Sequence, residues 1–111
     1  MGEPEALEPE CHPVAGLPQV LAALQDPIRL EMVRRLFNAG VPLKCSALYD
    51  GINKSTATHH FKILREAGVL ERRACGGLIQ QRLRADEVDA VLPGLLRSIV
   101  DAANREAAVR A

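Results

Sequence analysis

A mainly helical fold with one small β-hairpin, α+β in class, is predicted by two features of this 111-residue sequence. Apolar residues recur at the spacing of a helix face between residues 17 and 67 and again between residues 86 and 103. Two short strand-like runs, 69–74 and 78–84, are joined through Cys75-Gly76-Gly77, where glycine can adopt the positive φ of a tight turn. A chain of this length is expected to form one domain.

The N-terminal part divides into an acidic segment and two predicted helices. Residues 1–16 contain prolines and glutamates without apolar periodicity, so we expect a flexible acidic arm, with the folded domain at 17–111. A short amphipathic helix follows at 17–24. Asp26 and Pro27 then suit the N-cap and first position of the second helix.

The next two helices are predicted from their start and stop residues. Gly40 is a suitable residue to end the second helix, and Pro42 opens a third that ends at Gly51. Ser55 is the predicted N-cap of a fourth helix that runs to about Ala67. The sequence therefore predicts four helices before the hairpin, and the last three lie between Pro27 and about Ala67.

The C-terminal apolar pattern is interrupted by Pro93-Gly94. The pattern predicts a short helix at 86–91, followed either by a new helix that begins at Pro93 or by a kink in one continuous helix. The apolar stripe is wide for a terminal helix. It would either seal the monomer core or form a homodimer interface together with the first helix.

Composition narrows the function classes. Aromatic residues make up 3% of the chain, which argues against base stacking as the main binding mode. The three cysteines lack a C-x-x-C pair, which argues against a disulfide framework. No run reaches the length of a membrane span and no basic signal-peptide start is present, so we expect a cytoplasmic protein that is not attached to a membrane.

The formal net charge is zero, but the charges are unevenly distributed. Residues 1–27 carry −5, residues 28–84 carry +7 from eleven basic and four acidic side chains, and residues 85–111 carry −2. A basic middle segment points to a polyanionic partner. An enzyme is disfavoured because the sequence shows no carboxylate pair, nucleophile-base spacing or phosphate-binding glycine loop.

Three helices followed by a basic hairpin are the order of a winged helix-turn-helix, which binds duplex DNA. Hydroxyl, imidazole and ammonium groups on the fourth helix suit base edges and phosphates in a major groove. The candidate DNA contacts are Lys54, Ser55, Thr56, Thr58, His59, Lys62 and Arg65 on that helix and Arg72, Arg73, Arg82 and Arg84 on the hairpin.

Two segments resemble the ArsR/SmtB family of bacterial transcriptional regulators: LQDPIRLEMVRRL and NKSTATHHFKILREAGVLERR. The resemblance covers residues 17 to about 103. It implies a homodimer that joins through its terminal helices, a recognition helix at 55–67 and a wing at about 69–84. It assigns DNA contact to Ser55, Thr56, Thr58, His59 and Lys62, and it implies that His60 packs within the domain.

Many proteins of that family sense metals, and two of their ligand patterns are absent from this sequence. Lys44 and Ser46 occupy the positions of the paired thiolates, and no histidine follows His60 to complete a terminal-helix zinc site. The remaining candidate metal ligands are Glu10, Cys11 and His12 in the arm and Asp101 and Glu106 on the last helix. Such mixed donors favour nickel or cobalt over zinc. The alternative, which is favoured because a lone histidine rarely makes a metal site, is that His12 is a solvated residue of the arm.

Two other functions stay open. Cys75, beside arginines at the predicted wing tip, could serve a thiol-based redox response, whereas Cys45 fits a small core residue. A winged domain can also bind protein partners without reading DNA. The polar character of the fourth helix favours a dimeric regulator on an inverted-repeat operator, with an effector that shifts its geometry.

Overall fold

The computed structural model describes residues 11–110, which form five α-helices and a small antiparallel sheet. The helices are α1 (Leu17–Leu24), α2 (Pro27–Ala39), α3 (Lys54–Glu66), α4 (Ala85–Val91) and α5 (Leu95–Arg110). The strands are β1 (Leu43–Lys44), β2 (Leu70–Cys75) and β3 (Leu78–Leu83), with a 3₁₀ turn at Cys45–Leu48 between β1 and α3. The predicted α+β class is confirmed, as are the helices predicted at 17–24, from Asp26-Pro27 to Gly40, and from about residue 55 to Ala67.

The third helix predicted from Pro42 is wrong. Leu43 and Lys44 instead form β1, which pairs antiparallel with Gln81 and Gln80 of β3, and only a 3₁₀ turn follows. Pairing with β1 places β3 in the centre of the sheet and satisfies backbone groups on its second edge. A partner more than 35 residues away in sequence therefore overrides the local helical pattern.

The start of α2 follows the sequence prediction. Oδ1 of Asp26 accepts hydrogen bonds from the backbone N–H groups of Ile28 at 2.8 Å and Arg29 at 3.1 Å. Burial raises the pKa of Asp26, but these two hydrogen bonds outweigh it and hold that pKa below its ordinary value. At the other end, Gly40 has φ of 72° and its N–H donates to the carbonyl of Leu36.

The N-cap of α3 is Asn53 rather than Ser55. Oδ1 of Asn53 accepts from the backbone N–H of Thr56 at 2.8 Å, and the extended backbone of Asn53 directs the chain into the helix. Ser55 therefore lies in the first turn of α3 with an exposed side chain.

The core lies where α1, α2 and α3 meet the sheet and α5. Its fully buried side chains are aliphatic, and Tyr49 adds an edge contact to Phe61 with ring centroids 6.3 Å apart. The largest fully buried apolar side chains are Met32, Leu36, Leu48, Leu64, Leu70, Val20, Val33, Val69, Val88 and Val100, and the polar side chain of Gln81 is fully buried beside them.

The predicted interruption near Pro93-Gly94 separates α4 from α5, and α5 begins two residues later than Pro93. Gly94 has φ of 77° and donates its N–H to Oδ1 of Asp89 at 2.9 Å. Farther along, Asn104 exchanges two amide hydrogen bonds with Asn38, at 3.0 and 3.1 Å, which fixes α5 against α2. No helix in 11–110 is long and apolar enough to cross a bilayer.

The segment before α1 contacts the junction between α3 and β2. The N–H of Ala15 donates to the carbonyl of Ala67 at 2.9 Å, and Arg84 donates to the carbonyls of both His12 and Gly68. Packing thus extends N-terminal to residue 17, where the sequence placed the domain start. Residues 1–10 of the predicted arm lie outside the described residues.

Candidate nucleic-acid interface

Helix α3 has one buried and one exposed face. Ala57, His60, Phe61 and Leu64 are buried against the core. The exposed residues are the polar candidates named from the sequence, Lys54, Ser55, Thr56, Thr58, His59 and Lys62. Six candidate DNA contacts are therefore brought to the solvent side of one helix, while Arg65 is half-buried in its last turn.

Thr58 is the exposed residue whose hydrogen-bonding role the structure defines best. Its Oγ1 donates to the backbone carbonyl of Lys54 at 2.9 Å. Because the hydroxyl has one hydrogen, the oxygen offers lone pairs outward while this bond is made. Thr58 can therefore accept a hydrogen bond from a base amino group and place its methyl group against a base.

His60 lies on the buried face, which agrees with the expectation that it packs within the domain. Its side chain is 8% exposed, and Nδ1 lies 3.1 Å from Nη1 of Arg29 on α2. Sequence reasoning did not single out Arg29. The arginine of the D-P-x-R entry to α2 was visible as part of a motif, but its partner 31 residues away was not.

The β2–β3 hairpin presents Arg72 and Arg73 on opposite faces. Arg72 pairs across the sheet with the buried Gln81, and Arg73 pairs with Gln80. Because side chains alternate along a strand, Arg72 shares the face of Gln81 and Arg73 shares the outer face. Both arginines are exposed, so the hairpin offers a cation on each side.

Arg82 was predicted as a DNA contact but is paired with carboxylates of β2 and α4. Its Nε lies 2.6 Å from Oε1 of Glu71, and its Nη2 lies 2.9 Å from Oε2 of Glu87. The hydrogen bond from Arg82 lowers the pKa of Glu87 against the opposing effect of burial. With its charge neutralised by two carboxylates, Arg82 supports the hairpin rather than offering a free cation to phosphate.

Arg84, which was also predicted to contact DNA, is buried. It is 6% exposed, and its guanidinium donates to the backbone carbonyls of His12 and Gly68. The predicted contact with the flanking DNA backbone is wrong for this residue, because its donors are enclosed and directed inward.

Internal pairing reduces the number of basic side chains available to a partner. Arg34 and Arg35 both bond to Glu31, and Arg35 also bonds to Asp50, so these two cations of the +7 segment are paired with two carboxylates. The exposed cations that make no ion pair within residues 11–110 include Lys54 and Lys62 on α3 and Arg72 and Arg73 on β2. The helix and hairpin that the sequence selected thus carry accessible positive charge, and Lys44 and the three arginines of α5 are exposed as well.

The predicted metal ligands are not assembled within the described part of one chain. Cys11, Asp101 and Glu106 are exposed, His12 is half-buried, and Glu10 lies outside the described residues. Residues 11–110 contain no group of three His, Cys, Asp or Glu side chains arranged to hold a metal ion. A site built from these donors would need more than the described residues of a single protomer.

The cysteines occupy three separate environments. Cys75 is exposed at the end of β2, where the sequence placed a candidate redox residue. Cys45 is half-buried, with Sγ 3.7 Å from both the carbonyl of Ile79 and Nε2 of Gln81. All three thiols are free, so any redox response would begin from reduced cysteine.

Comparisons with known proteins agree with this architecture. A family model described as a helix-turn-helix domain matches residues 24–73. The uncharacterized HTH-type transcriptional regulator YceK of Bacillus subtilis (strain 168) is 37% identical over 83 residues, which are 73% of this chain and 83% of YceK.

Two solved structures share the fold. The transcriptional repressor BigR from Xylella fastidiosa is 28% identical, with 67% of this chain and 76% of BigR covered at a TM-score of 0.54. An ArsR-like transcriptional regulator from Rhodococcus sp. RHA1 is 24% identical, with 84% and 88% covered at a TM-score of 0.59. Together with the helix-turn-helix match, the similarity to YceK shows that the chain belongs to the helix-turn-helix transcriptional regulators, and its fold is the winged helix-turn-helix of the ArsR-like regulator.

Proposed function

We propose that this regulator reads a specific duplex sequence with the exposed face of α3 and contacts the flanking backbone with Arg72 and Arg73. The observation that carries the proposal is the division of α3 into an apolar buried face and a polar, cationic exposed face. Such a helix fits a major groove, where Lys62 can meet a phosphate and Thr58 a base edge.

A protein-binding winged domain is the alternative that the exposed residues disfavour. The solvent side of α3 carries hydroxyl, imidazole and ammonium groups. The large hydrophobic residues Phe61 and Leu64 lie on the opposite side of this helix and face the core. Protein interfaces place aromatic and apolar groups at their centre. The exposed face of α3 has the opposite composition.

A homodimer is the proposed DNA-binding form. Leu17 and Leu21 on α1 are 45% and 43% exposed, and Val91 at the end of α4 is 52% exposed. Leu17 and Val91 also line an open groove together with Leu92, Pro93, Gly94 and Leu95. A second copy that covers this apolar surface through a two-fold axis would present two α3 helices to an inverted-repeat operator.

The DNA proposal is tested with a duplex selected from a randomised library by the wild-type chain. Lys62→Ala should weaken binding to selected and scrambled duplexes alike and reduce the slope of log affinity against log salt by about 1 per subunit. Arg105→Ala removes an exposed cation from α5 and serves as the matched control, with no change expected in that slope.

Thr58→Ala gives the complementary result in the same assay. It should relax discrimination at one position of each half-site and leave the salt slope unchanged, since the hydroxyl carries no charge. An unchanged salt slope in Lys62→Ala would reject Lys62 as a phosphate contact. Unchanged discrimination in Thr58→Ala would reject base reading by that hydroxyl.

Nickel or cobalt remains the proposed effector, with donors drawn from two protomers because one described chain assembles no site. Calorimetric titration of the full chain with nickel, with and without operator duplex, tests this directly. Nickel binding that is lost in His12→Ala would support the metal hypothesis, and nickel binding that is unchanged would reject His12 as a ligand.

The thiol alternative is tested with Cys75→Ser. This variant should abolish any effect of oxidant on DNA affinity only if Cys75 is the sensor.

A further inference from the structure

We propose that Arg29 is a positioning residue that fixes the orientation of α3 relative to the end of α1. Its Nε donates to the carbonyl of Ala23 at 2.7 Å, and its Nη2 donates to the carbonyl of Ala22 at 3.4 Å. Its Nη1 lies 3.1 Å from Nδ1 of His60 on α3. One side chain from the first turn of α2 thus bonds to both neighbouring helices, and this inference rests on the proposed reading of DNA by α3.

The α1 end of this connection is set by the chemistry of helix termini. Ala22 and Ala23 belong to the last turn of α1, where backbone carbonyls lack partners within the helix. Arg29 supplies donors to both carbonyls. Its own backbone is held by the N-cap bond to Asp26, so the side chain begins from a fixed point.

The α3 end requires one protonation state of His60. A guanidinium has only donors, so Nδ1 of His60 must accept and the ring hydrogen must lie on Nε2. A doubly protonated ring would have no acceptor for Arg29. The charged groups and titratable rings near this contact include Asp26, the N-cap of α2, and His59 of α3, whose ring centroid is 6.1 Å from that of His60. Helix α1 contributes no charged side chain.

The geometry explains why this bond bears on specificity. His60 is buried on the core side of α3, and Thr56, Thr58 and His59 lie on the exposed side. Rotation of α3 about its axis would break the bond to Arg29 and turn the exposed side chains away from their positions. Because α1 carries Leu17 and Leu21 of the proposed dimer surface, Arg29 also links the dimer contact to the DNA-reading helix.

The experiment compares affinity for the selected operator with affinity for a scrambled duplex. Arg29→Lys keeps the charge but cannot span three acceptors, and His60→Leu removes the acceptor at similar volume. We expect each to reduce the ratio of specific to non-specific affinity by roughly tenfold, the size associated with one charge-assisted hydrogen bond. Non-specific affinity should change less than twofold or so, because the exposed cations are intact.

His60→Asn is the rescue variant, because its Oδ1 takes the position of Nδ1. Its amide oxygen can accept from Arg29, so the specificity ratio should stay within about twofold of wild type. The double variant Arg29→Lys/His60→Leu should lose little more than either single variant, since both remove the same bond. A merely structural role would instead lower the specific and non-specific affinities by the same factor, and additive losses in the double variant would mean that the two residues do not act through one bond.

The outcomes separate this inference from the function on which it rests. Failure of the wild-type chain to select any duplex would reject the proposed function. Selection by the wild type, with unchanged specificity ratios in Arg29→Lys and His60→Leu, would overturn the positioning role alone. Long-range ¹⁵N–¹H spectra of the wild-type chain provide a test that needs no variant to fold: hydrogen on Nε2 of His60 supports the bond, and hydrogen on Nδ1 overturns it.

Discussion

Gly68 shows how a single residue joins the N-terminal segment to the DNA-binding elements. It has φ of 80°, and a Cβ built there would lie 2.4 Å from the carbonyl oxygen of Pro13 and 2.5 Å from the Cα of Val14. Glycine is therefore required for two reasons, the left-handed backbone and the close approach of another chain segment. Gly51 has φ of 74° but no atom within 4 Å of such a Cβ, so it shares only the first reason.

Because of this difference, alanine should lower the free energy of unfolding by different amounts at Gly51 and at Gly68. Gly51→Ala should lower the free energy of unfolding by about 1–2 kcal/mol, the cost of the left-handed conformation. Gly68→Ala should lower the free energy of unfolding by roughly twice that amount or more, because backbone atoms of residues 13–14 must also move. Urea unfolding of both variants measures the difference. Equal losses would mean that residues 13–14 do not pack on Gly68 in solution.

The carboxylate of Glu31 should make the stability of the fold depend on pH. Hydrogen bonds from Arg34 and then Arg35, opposed by burial, lower the pKa of Glu31 from 4.5 to about 2. Because the folded value is the lower one, ionised Glu31 stabilises the fold above pH 4.5, and this contribution is lost as the pH falls towards 2. Its side chain is 37% exposed, so solvent screening limits the effect to about 1 kcal/mol or less.

We therefore expect Glu31→Gln to lower the free energy of unfolding at pH 7 and to approach wild-type stability near the acid end of the titration. The exposed Glu106 gives the control, since Glu106→Gln should follow the wild-type curve throughout. Denaturant unfolding at a series of pH values measures both variants. A gap between Glu31→Gln and wild type that stayed constant from pH 7 to pH 2 would contradict the assigned pKa.

Among the elements, the hairpin depends on its turn. Gly76 has φ of 57° and Gly77 has φ of 85°, which is the pair of positive values that a two-residue type I′ turn requires. Gly76→Asn should preserve the turn, since asparagine tolerates this conformation. Gly77→Val should disorder the hairpin and lower DNA affinity while the helical core remains folded, because β-branched residues strongly disfavour positive φ.

Hydrogen exchange of the β2 and β3 amides, measured beside operator affinity, checks this prediction. Faster exchange confined to the hairpin, together with weaker binding in Gly77→Val, is the expected result. Wild-type affinity in a variant whose hairpin has opened would remove the hairpin from the DNA interface. Gly76→Asn controls for the loss of glycine itself.

The elements also show where sequence patterns are sufficient. Asp26 and Gly40 bound α2 as predicted, because capping is decided by neighbouring residues. Asn53 and Ser55 are both good N-cap residues two positions apart, and only the extended backbone of Asn53 decides between them. The strand at Leu43–Lys44 depends on pairing with Gln80 and Gln81, a distant contact that no local pattern reveals.

In the candidate nucleic-acid interface, too, local patterns predict some residues and distant contacts decide others. The exposed face of α3 follows from helical periodicity, so its polar members were predictable. The fate of Arg82 was not, because its carboxylate partners Glu71 and Glu87 are brought to it by strand pairing and by the start of α4. Counting charges along the sequence overestimated the free cations for this reason.

At the scale of the whole molecule, the zero net charge results from unlike regions. Ion pairs occupy Arg34, Arg35 and Arg82 of the basic segment, so α3 and β2 contribute four exposed cations, Lys54, Lys62, Arg72 and Arg73. With four such cations, a single domain makes few phosphate contacts through these two elements. Two domains held by a dimer contact would double that number and read two half-sites, which ties DNA affinity to assembly.

Assembly is therefore predicted to control DNA binding, and Leu21 is the position that tests it. Leu21→Glu places a charge on the exposed apolar surface of α1, where a partner would have to desolvate it, so we expect a monomer with at least roughly tenfold weaker operator binding. Val41→Glu alters another exposed apolar residue, 58% exposed and outside α1, and should remain dimeric. Sedimentation equilibrium and operator titration measure both properties. A dimeric Leu21→Glu chain would place the interface elsewhere, whereas a monomer that kept wild-type operator affinity would mean that one α3 helix suffices.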